Sequence, residues 1–207
     1  MHILSCGEQA LLIELDSGAQ VAAVSTALEK LHHPGFVDVV PAASTVLVTL
    51  DTHTLSIEAA YAMIEELDVD AAESASAGRT VEIPVHYDGA DLEELAASNN
   101  VRVAELIEWH TSTQWRASFG GFAPGFMYLS PVNAEDAIDI ARRSSPRTEI
   151  PAGSVALAGT FSAVYPKSSP GGWQLLGTTT ARMWDLTRTQ PSLITPGDRV
   201  RFRQVRA

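Results

Sequence analysis

The sequence has little cysteine, little positive charge and no long apolar run. Cys6 is the only cysteine in 207 residues, which excludes an internal disulfide and a cysteine-based metal cluster. We expect Cys6 to be a small buried thiol in the first strand rather than a catalytic nucleophile. Lys and Arg total 14 against 25 Asp and Glu, a formal net charge of -11. Nucleic acids and anionic membranes are also negative, so both are poor partners.

Several short motifs are also missing. No apolar run reaches about 18 residues, and the first residues lack the basic start and apolar core of a signal peptide; we therefore expect a cytoplasmic protein. The sequence contains no Gly-x-x-x-x-Gly-Lys-Ser/Thr loop, no Gly-x-Gly-x-x-Gly and no His-Glu-x-x-His. A nucleotide would have to be bound in another way, and we predict no metal held by the protein itself.

Apolar spacing in the first third predicts a small α/β domain. A strand-like run, residues 10–15, precedes a helix that Asp16 or Ser17 can cap. Two more strands are predicted at Val37–Val40 and Thr45–Leu50, followed by a second helix. The helices are marked by apolar residues at helical spacing, which are Val21, Val24, Leu28 and Leu31 in the first and Ile57, Tyr61, Ile64 and Leu67 in the second.

The segment Asp70–Gly78 is small, polar and without apolar period, which is typical of a linker. We therefore predict two domains, residues 1–78 and 79–207. The second begins with a strand at Thr80–Tyr87 and two short helices at about Asp91–Ser98 and Val103–His110. His110 lies on the apolar face of the second helix, so its side chain should point towards the core.

From Trp115 onward, short β segments alternate with Gly and Pro, which favours a β-barrel or sandwich over a parallel βαβ sheet. The segments are Trp115–Phe119, Ser154–Ala158, Ala163–Tyr165, Trp173–Leu176 and Arg199–Val205.

The first functional signal is the glycine loop, Gly120–Leu129. Three glycines and Pro124 impose an unusual backbone path, while Phe122, Phe126 and Tyr128 supply broad faces that either pack inward or line a cleft. The residues alone leave a binding loop and a structural turn equally open.

The second signal comprises Ser145–Val155 and Tyr165–Gly177. Arg147 and Lys167 stand there among hydroxyls and glycines, which suits a carboxylate or a phosphate. Each cation taken singly is more often a surface residue. Gln174 would need a hydrogen-bond partner in a core.

These segments resemble the family of 5-oxoprolinase B subunits, also called allophanate hydrolase subunit 1, which includes an inhibitor of a sensor histidine kinase. The resemblance covers nearly the whole chain. The matching pieces are Leu11–Glu14, Val40–Pro41, Ile83–Val85, Asp91–Glu93, His110, Gly121–Leu129, Pro146–Arg147, Pro151–Val155, Tyr165–Pro166, Ser169–Leu176 and Pro196–Val200.

The resemblance implies an α+β fold, with an N-terminal ferredoxin-like α/β domain followed by a cyclophilin-like β-barrel domain. It also implies one subunit of an ATP-dependent enzyme that opens 5-oxoproline to L-glutamate, with Mg2+ carried by the nucleotide. The implied partner is a second cyclophilin-like subunit, of the type called the 5-oxoprolinase C subunit or allophanate hydrolase subunit 2, together with a third 5-oxoprolinase subunit. The chain is expected to be inactive alone.

The resemblance implies a role for each of several residues. His110 would act as a proton carrier or an oxyanion donor, and Arg147 would bind the substrate carboxylate or a phosphate. Gln174 completes the catalytic set. The implied substrate- and nucleotide-binding residues are Phe122, Pro124, Gly125, Phe126, Tyr128, Ser154, Tyr165, Gly171 and Gly172. A core histidine is the alternative for His110, and both interpretations stay open.

The chain departs from the family pattern at two places. Thr160–Ala163 replaces a usual Gly-Gln-Thr-Gly, and Thr178 replaces a usual Arg, so an amide and a guanidinium are lost. Two alternative functions remain: an inhibitor that docks the Phe122–Phe126 loop on a histidine kinase, and a carboxyltransferase-like component acting on urea-derived substrates.

Overall fold

The structure is a computed structural model that describes residues 1–67 and 78–206. The chain divides into two compact units, Met1–Ser76 and Ala77–Ala207. The predicted linker, Asp70–Gly78, lies outside the described residues except for Gly78. The backbone N–H of Gly78 donates to the carbonyl of Gly197 at 3.2 Å, so Gly78 belongs to the second unit. Among the helices of the described residues, none is long and apolar enough to cross a membrane.

The N-terminal unit is a four-stranded sheet with two helices on one face. The strands are β1 (His2–Ser5), β2 (Ala10–Glu14), β3 (Phe36–Pro41) and β4 (Thr45–Leu50), and the helices are α1 (Gly18–Leu31) and α2 (Ile57–Glu65). The sheet order is β1-β2-β4-β3, antiparallel throughout. The Ser17 hydroxyl accepts the N–H of Gln20 at 3.2 Å and so starts α1, which confirms one of the two predicted caps.

The sequence prediction places Cys6 in a first strand but gives that strand no bounds, because His2–Ser5 shows no apolar alternation; only Ile3 of its four residues is half-buried. A ferredoxin-like domain runs β-α-β-β-α-β, whereas residues 1–67 run β-β-α-β-β-α. The extra strand lies at the sheet edge beside β2. The ferredoxin-like interpretation therefore stays a prediction. Cys6 follows β1 and is exposed, so the expected buried thiol is wrong: the residue belongs to the β1–β2 connection and faces solvent.

The second unit is a nearly closed β-barrel. Its strands are β5 (Thr80–Val85), β6 (Trp115–Gly120), β7 (Met127–Pro131), β8 (Arg147–Ile150), β9 (Ser154–Ala158), β10 (Phe161–Val164), β11 (Ser169–Gly171), β12 (Gln174–Thr178) and β13 (Arg199–Gln204). Its helices are α3 (Leu92–Ser98) and α4 (Val103–Ser112), with a 3-10 turn at Ala134–Asp136.

Seven of these strands form one sheet in the order β12-β9-β10-β7-β6-β13-β5. The two ends of the sheet meet, because His86 and Thr178 exchange backbone N–H···O bonds of 2.8 Å in both directions. A β-carbon on Gly177 would lie 2.1 Å from the carbonyl oxygen of His86. Only glycine allows the backbones to approach this closely. The barrel prediction is confirmed; its assignment as cyclophilin-like stays a prediction.

The strand β9 is buried on both faces and separates two apolar clusters. Val155 and Leu157 belong to the barrel interior, together with residues of α3 and α4. Ala156 and Ala158 face the other way, into a second cluster that includes Ile150 of β8. The small sheet formed by β8 and β11 contributes to this second cluster, which is where most of the predicted site residues lie.

Candidate functional site

A β-bulge places the glycine loop outside the barrel. Between Ala117 and Phe119 the register of β6 against β7 shifts by one residue, so these two side chains point to opposite faces instead of the same one. Ala117 enters the barrel interior, whereas Phe119 stacks on Tyr128 with ring centroids 4.4 Å apart and an interplanar angle of 16°. The loop that follows therefore continues on the outer face.

The loop is a tight turn that exposes one aromatic ring. Backbone hydrogen bonds join Ala123 N–H to the carbonyl of Gly121 (2.6 Å) and Phe126 N–H to that of Ala123 (2.9 Å). Phe122 has a φ of 64°, which is a costly backbone conformation for a bulky residue. Its side chain is 57% exposed. A strained backbone that holds an apolar ring in solvent is typical of a contact residue.

The other aromatic rings pack against each other in an outer aromatic cluster. Phe126 lies at its centre, with edge-on contacts at centroid distances of 5.1 Å to Phe122 and Tyr128, 5.4 Å to Tyr165 and 5.5 Å to Trp173. Burial raises the pKa of the Tyr165 phenol to about 12. Both possibilities left open by the sequence are thus realised in one loop: Phe126 is buried, whereas Phe122 touches the edge of the cluster and stays mostly exposed.

A groove of about 370 Å³ runs beside the loop. Its second wall comes from Trp184, Gln190, Ser192 and Ile194–Pro196. Trp184 is 37% exposed, and Leu186, two residues further along the chain and outside the lining, is 78% exposed. None of the described residues that line the groove is charged. Gly125 fits against this wall because a β-carbon would come within 3.0 Å of Trp184 Cβ, and its φ of 82° also favours glycine. We call this surface the uncharged groove.

An ionic cluster lies next to the outer aromatic cluster, centred on Asp91. The Asp91 carboxylate is 1% exposed and accepts hydrogen bonds from Arg143 Nη1 at 2.5 Å, from Arg147 Nη1 and Nη2 at 2.8 and 2.7 Å, and from the Leu175 backbone N–H at 2.7 Å. Burial alone would raise the pKa of Asp91, but the bonds from Arg147 and Leu175 and the two arginine charges outweigh it and lower the pKa.

The same contacts change the interpretation of Arg147. Its guanidinium makes a bidentate ion pair with Asp91 and is only 24% exposed in its side chain. The bond and charge of Asp91 raise the pKa of Arg147 above its usual value. Arg147 is thus bound to an internal carboxylate, and a substrate anion could meet only the remaining edge of the guanidinium.

His110 lies in the barrel interior with no exposed surface. Its Nδ1 is 2.7 Å from the Tyr87 hydroxyl and its Nε2 is 2.9 Å from the Ser162 hydroxyl, while Phe202 stacks on the ring at 4.3 Å. Burial lowers its pKa to about 3, so the ring is neutral at physiological pH. These contacts favour the core interpretation. A direct contact with substrate would require both hydroxyl bonds to be broken, and a role as proton carrier stays a prediction.

The chain is similar in sequence to a described domain family and to named proteins. A family model described as carboxyltransferase domain, subdomain C and D, matches residues 1–194. The 5-oxoprolinase B subunit of Bacillus subtilis (strain 168) is 37% identical over 196 residues, which cover 88% of this chain and 81% of the relative. The 5-oxoprolinase B subunit of Escherichia coli O157:H7 is 35% identical over 209 residues, 95% and 92% of the two chains. The chain belongs to the family of 5-oxoprolinase B subunits.

Solved structures extend this comparison. The protein TTHA0988 superimposes with a TM-score of 0.80 at 33% identity, covering 96% of this chain but only 40% of the other, so the chain spans less than half of that relative. The urea carboxylase of Kluyveromyces lactis gives a TM-score of 0.79 at 17% identity, with 99% of this chain and 22% of the other covered. This second likeness shows a shared fold and nothing more.

The remaining family positions fall beside the ionic cluster. Gln174 is half-buried, and its Nε2 donates to the carbonyl of Ala141 at 3.1 Å. The carbonyl of Gly172 accepts the backbone N–H of Arg143 at 2.8 Å. A β-carbon on Gly171 would lie 2.4 Å from the Tyr165 hydroxyl oxygen. Ser154 is buried at the start of β9. These residues and the outer aromatic cluster share one side of the barrel wall, whereas His110 lies within the barrel.

Two features of the site are not visible in the family pattern. Asp91 begins the family segment Asp91–Glu93, but its ion-pair partners Arg143 and Arg147 are 52 and 56 residues away along the chain. Local spacing in the sequence does not reveal these pairs. The residues that stand at positions where the chain departs from the family pattern also make contacts in this structure. Phe161 packs on Tyr128 at 5.6 Å, Ser162 bonds His110, and the Thr178 hydroxyl donates to Asp88 Oδ1 at 3.0 Å.

Proposed function

We propose that the chain is the B subunit of an ATP-dependent 5-oxoprolinase. In this reaction ATP phosphorylates the lactam carbonyl oxygen of 5-oxoproline, and water then opens the ring to give L-glutamate, ADP and phosphate. The observation that carries the proposal is 35–37% identity to proteins of that name over nearly the whole chain. ATP, with its own Mg2+, is a co-substrate of the complex.

The polar groups of the site support a shared active centre. Asp91 is saturated by two arginines and a backbone N–H, and the ring nitrogens of His110 are bonded to protein hydroxyls. Asp91 is 1% exposed and His110 is not exposed, so neither group meets a ligand from solvent in this chain. We therefore infer that a second, cyclophilin-like subunit, and a third subunit with it, supplies the remaining chemistry, and that this chain alone is inactive.

We assign Arg147, Gln174 and the residues beside them as this chain's share of the substrate site. The outward edge of Arg147, held in place by Asp91, would bind the substrate carboxylate or a phosphate oxygen. Gly171 and Gly172 allow the backbone to approach closely, and Tyr165 with Tyr128 would form the wall beside them.

The uncharged groove is the proposed docking surface for the second subunit. Pro124 and Trp184 line the groove and are exposed. Phe122 and Leu186, which adjoin these lining segments along the chain, expose further apolar surface, and exposed apolar patches of this kind mark protein-binding sites. Phe122→Ala combined with Trp184→Ala should weaken assembly by at least about tenfold, because two aromatic anchors are lost. The control is Val132→Ala, which truncates a 40% exposed apolar residue that does not line the groove.

The proposal is tested by co-expressing the chain with candidate second and third subunits from the same organism. A purified complex should hydrolyse ATP only when 5-oxoproline is added. This function would be excluded if the rate of ATP hydrolysis were the same with and without 5-oxoproline, or if no complex formed.

The exposed Phe122 also favours a second candidate, an inhibitor that docks this loop on a sensor histidine kinase. Docking of that kind predicts that the isolated chain suppresses kinase autophosphorylation and that Phe122→Ala restores it. A urea-derived substrate receives no support, since the likeness to urea carboxylase is one of fold alone.

A further inference from the structure

The helix-free face of the N-terminal sheet carries a continuous apolar row. In the sheet register Leu4 lies opposite Leu12, Leu12 opposite Leu47, and Leu47 opposite Val40. The row therefore crosses all four strands. Leu4 and Val40 are 46% and 42% exposed, and Leu12 and Leu47 are half-buried. We call these four residues the outer row.

Within residues 1–67, neither α1 nor α2 covers this row. Successive residues of a strand point to opposite faces, and the residues that alternate with the row, such as Leu11, Ile13, Val46 and Val48, form the core beneath α1 and α2. The outer row belongs to the other face. An exposed apolar strip that spans a whole sheet marks a surface that another element covers.

Acidic side chains flank the outer row on both sides. Glu14 lies two residues beyond Leu12 along β2, and Asp38 lies two residues before Val40 along β3, so both share the face of the row. Both are exposed. On this face Glu14 lies between Thr45 of β4 and His2 of β1, and Asp38 lies opposite Thr49 of β4. No Lys or Arg is among these cross-strand neighbours.

The charge of the whole unit has the same sign. Residues 1–67 contain a single Lys or Arg, Lys30, against nine Asp or Glu. Lys30 lies near the end of α1, not on the sheet. Two copies of this chain joined face to face would bring the same acidic unit against itself, which is unfavourable. Charge complementarity selects a partner with an apolar centre and a basic rim.

The dimensions of the row fit a short helix. Neighbouring strands are about 4.8 Å apart, so three steps across the sheet span roughly 14 Å. A helix of about ten residues has that length. A helix lying along the row would place one apolar stripe on Leu4, Leu12, Leu47 and Val40, and its flanking Lys or Arg residues would reach Glu14 on one side and Asp38 on the other.

We propose that the outer row, with Glu14 and Asp38, is a docking surface for a basic amphipathic helix of a partner protein. This surface is independent of the proposed catalytic function, and it lies in the N-terminal unit rather than in the barrel.

The test uses the full chain and two synthetic peptides of about 14 residues, both with Leu at helical spacing. One peptide has Lys at the remaining positions and the other has Glu. Fluorescence anisotropy should show the Lys peptide binding at least about tenfold more tightly than the Glu peptide. Leu12→Ser should weaken the Lys peptide by about tenfold or more, whereas Val37→Ser, which changes a 62% exposed residue outside the row, should not.

Charge reversal on the face distinguishes docking from attraction to net charge. The Glu14→Lys and Asp38→Lys double variant should reverse the preference between the two peptides. The control is the Glu58→Lys and Glu65→Lys double variant, which makes the same change in net charge on exposed residues of α2. Equal effects of the two double variants would overturn the proposal. It would also be overturned by unchanged binding in Leu12→Ser, or by a homodimer that Leu12→Ser dissociates, since a second copy would then cover the face.

Discussion

At the residue scale, His110 shows what helical spacing in the sequence can and cannot predict about a side chain. Its place on the apolar face of a helix predicts an inward side chain, and the structure confirms it with zero exposure. The hydroxyls that bond the ring, from Tyr87 and Ser162, are 23 and 52 residues away. Such partners depend on how strands pair, so spacing along the chain could not choose between a core histidine and a catalytic one.

The buried ring of His110 should make stability depend on pH. Its pKa is about 3 in the folded chain against an ordinary 6.5, so below pH 6.5 the unfolded chain takes up a proton that the folded chain does not. The free energy of unfolding should therefore fall by up to about 1.4 kcal/mol per pH unit from this group as the pH drops from 6.5 towards 3. Urea unfolding at several pH values measures the slope. His110→Gln, which cannot titrate, should lose this part of it; an identical slope in both proteins would contradict a neutral buried ring.

The buried carboxylate of Asp91 should matter far more for stability than an exposed one. Asp91→Asn leaves the charges of Arg143 and Arg147 uncompensated, and we expect a loss of about 3–5 kcal/mol in the free energy of unfolding. The matched control is Glu82→Gln, which breaks the ion pair with Arg203, a pair whose side chains are 58% and 55% exposed. That change should cost less than about 1 kcal/mol. Equal losses in chemical denaturation would show that Asp91 does not hold the two arginines.

At the scale of elements, the longer helices and apolar strands are predictable, and the short connecting strands are not. The apolar alternation of β4 and the helical spacing of α1 are visible in the sequence. β8 and β11 have only four and three residues with weak burial patterns, and β11 contains Pro170. The glycine loop was predictable as an unusual turn, but the bulge that carries it to the outer face depends on register against β7 and leaves no sequence signature.

Closure of the barrel should depend on Gly177. In Gly177→Ala the new β-carbon would lie 2.1 Å from the carbonyl oxygen of His86, which forces the two ends of the sheet apart. We expect a loss of about 2 kcal/mol or more in the free energy of unfolding, with faster hydrogen exchange at the amides of His86 and Thr178. Gly120→Ala is the control, because its nearest contact would be 3.6 Å. If Gly177→Ala is as stable as Gly120→Ala, the bridge does not close the barrel.

At the scale of the whole molecule, the resemblance to 5-oxoprolinase B subunits is confirmed by relatives that match most of the chain. The excess of acidic residues is concentrated in the N-terminal unit, which the net charge of -11 alone does not reveal. Substrate and partners could not be derived from composition or periodicity, because the polar groups of the site, such as Asp91 and Arg147, are paired with residues far away along the chain. The proposed function therefore requires assembly of this chain with the proposed second and third subunits.

One measurement tests that proposal most directly: release of L-glutamate from isotopically labelled 5-oxoproline by the reconstituted subunits, with and without this chain. We expect glutamate and ADP to appear together when all subunits and ATP are present, and neither product to form from 5-oxoproline when this chain is left out or is supplied alone. Equal glutamate formation without the chain, or none with the complete set, would contradict its assignment as a 5-oxoprolinase subunit.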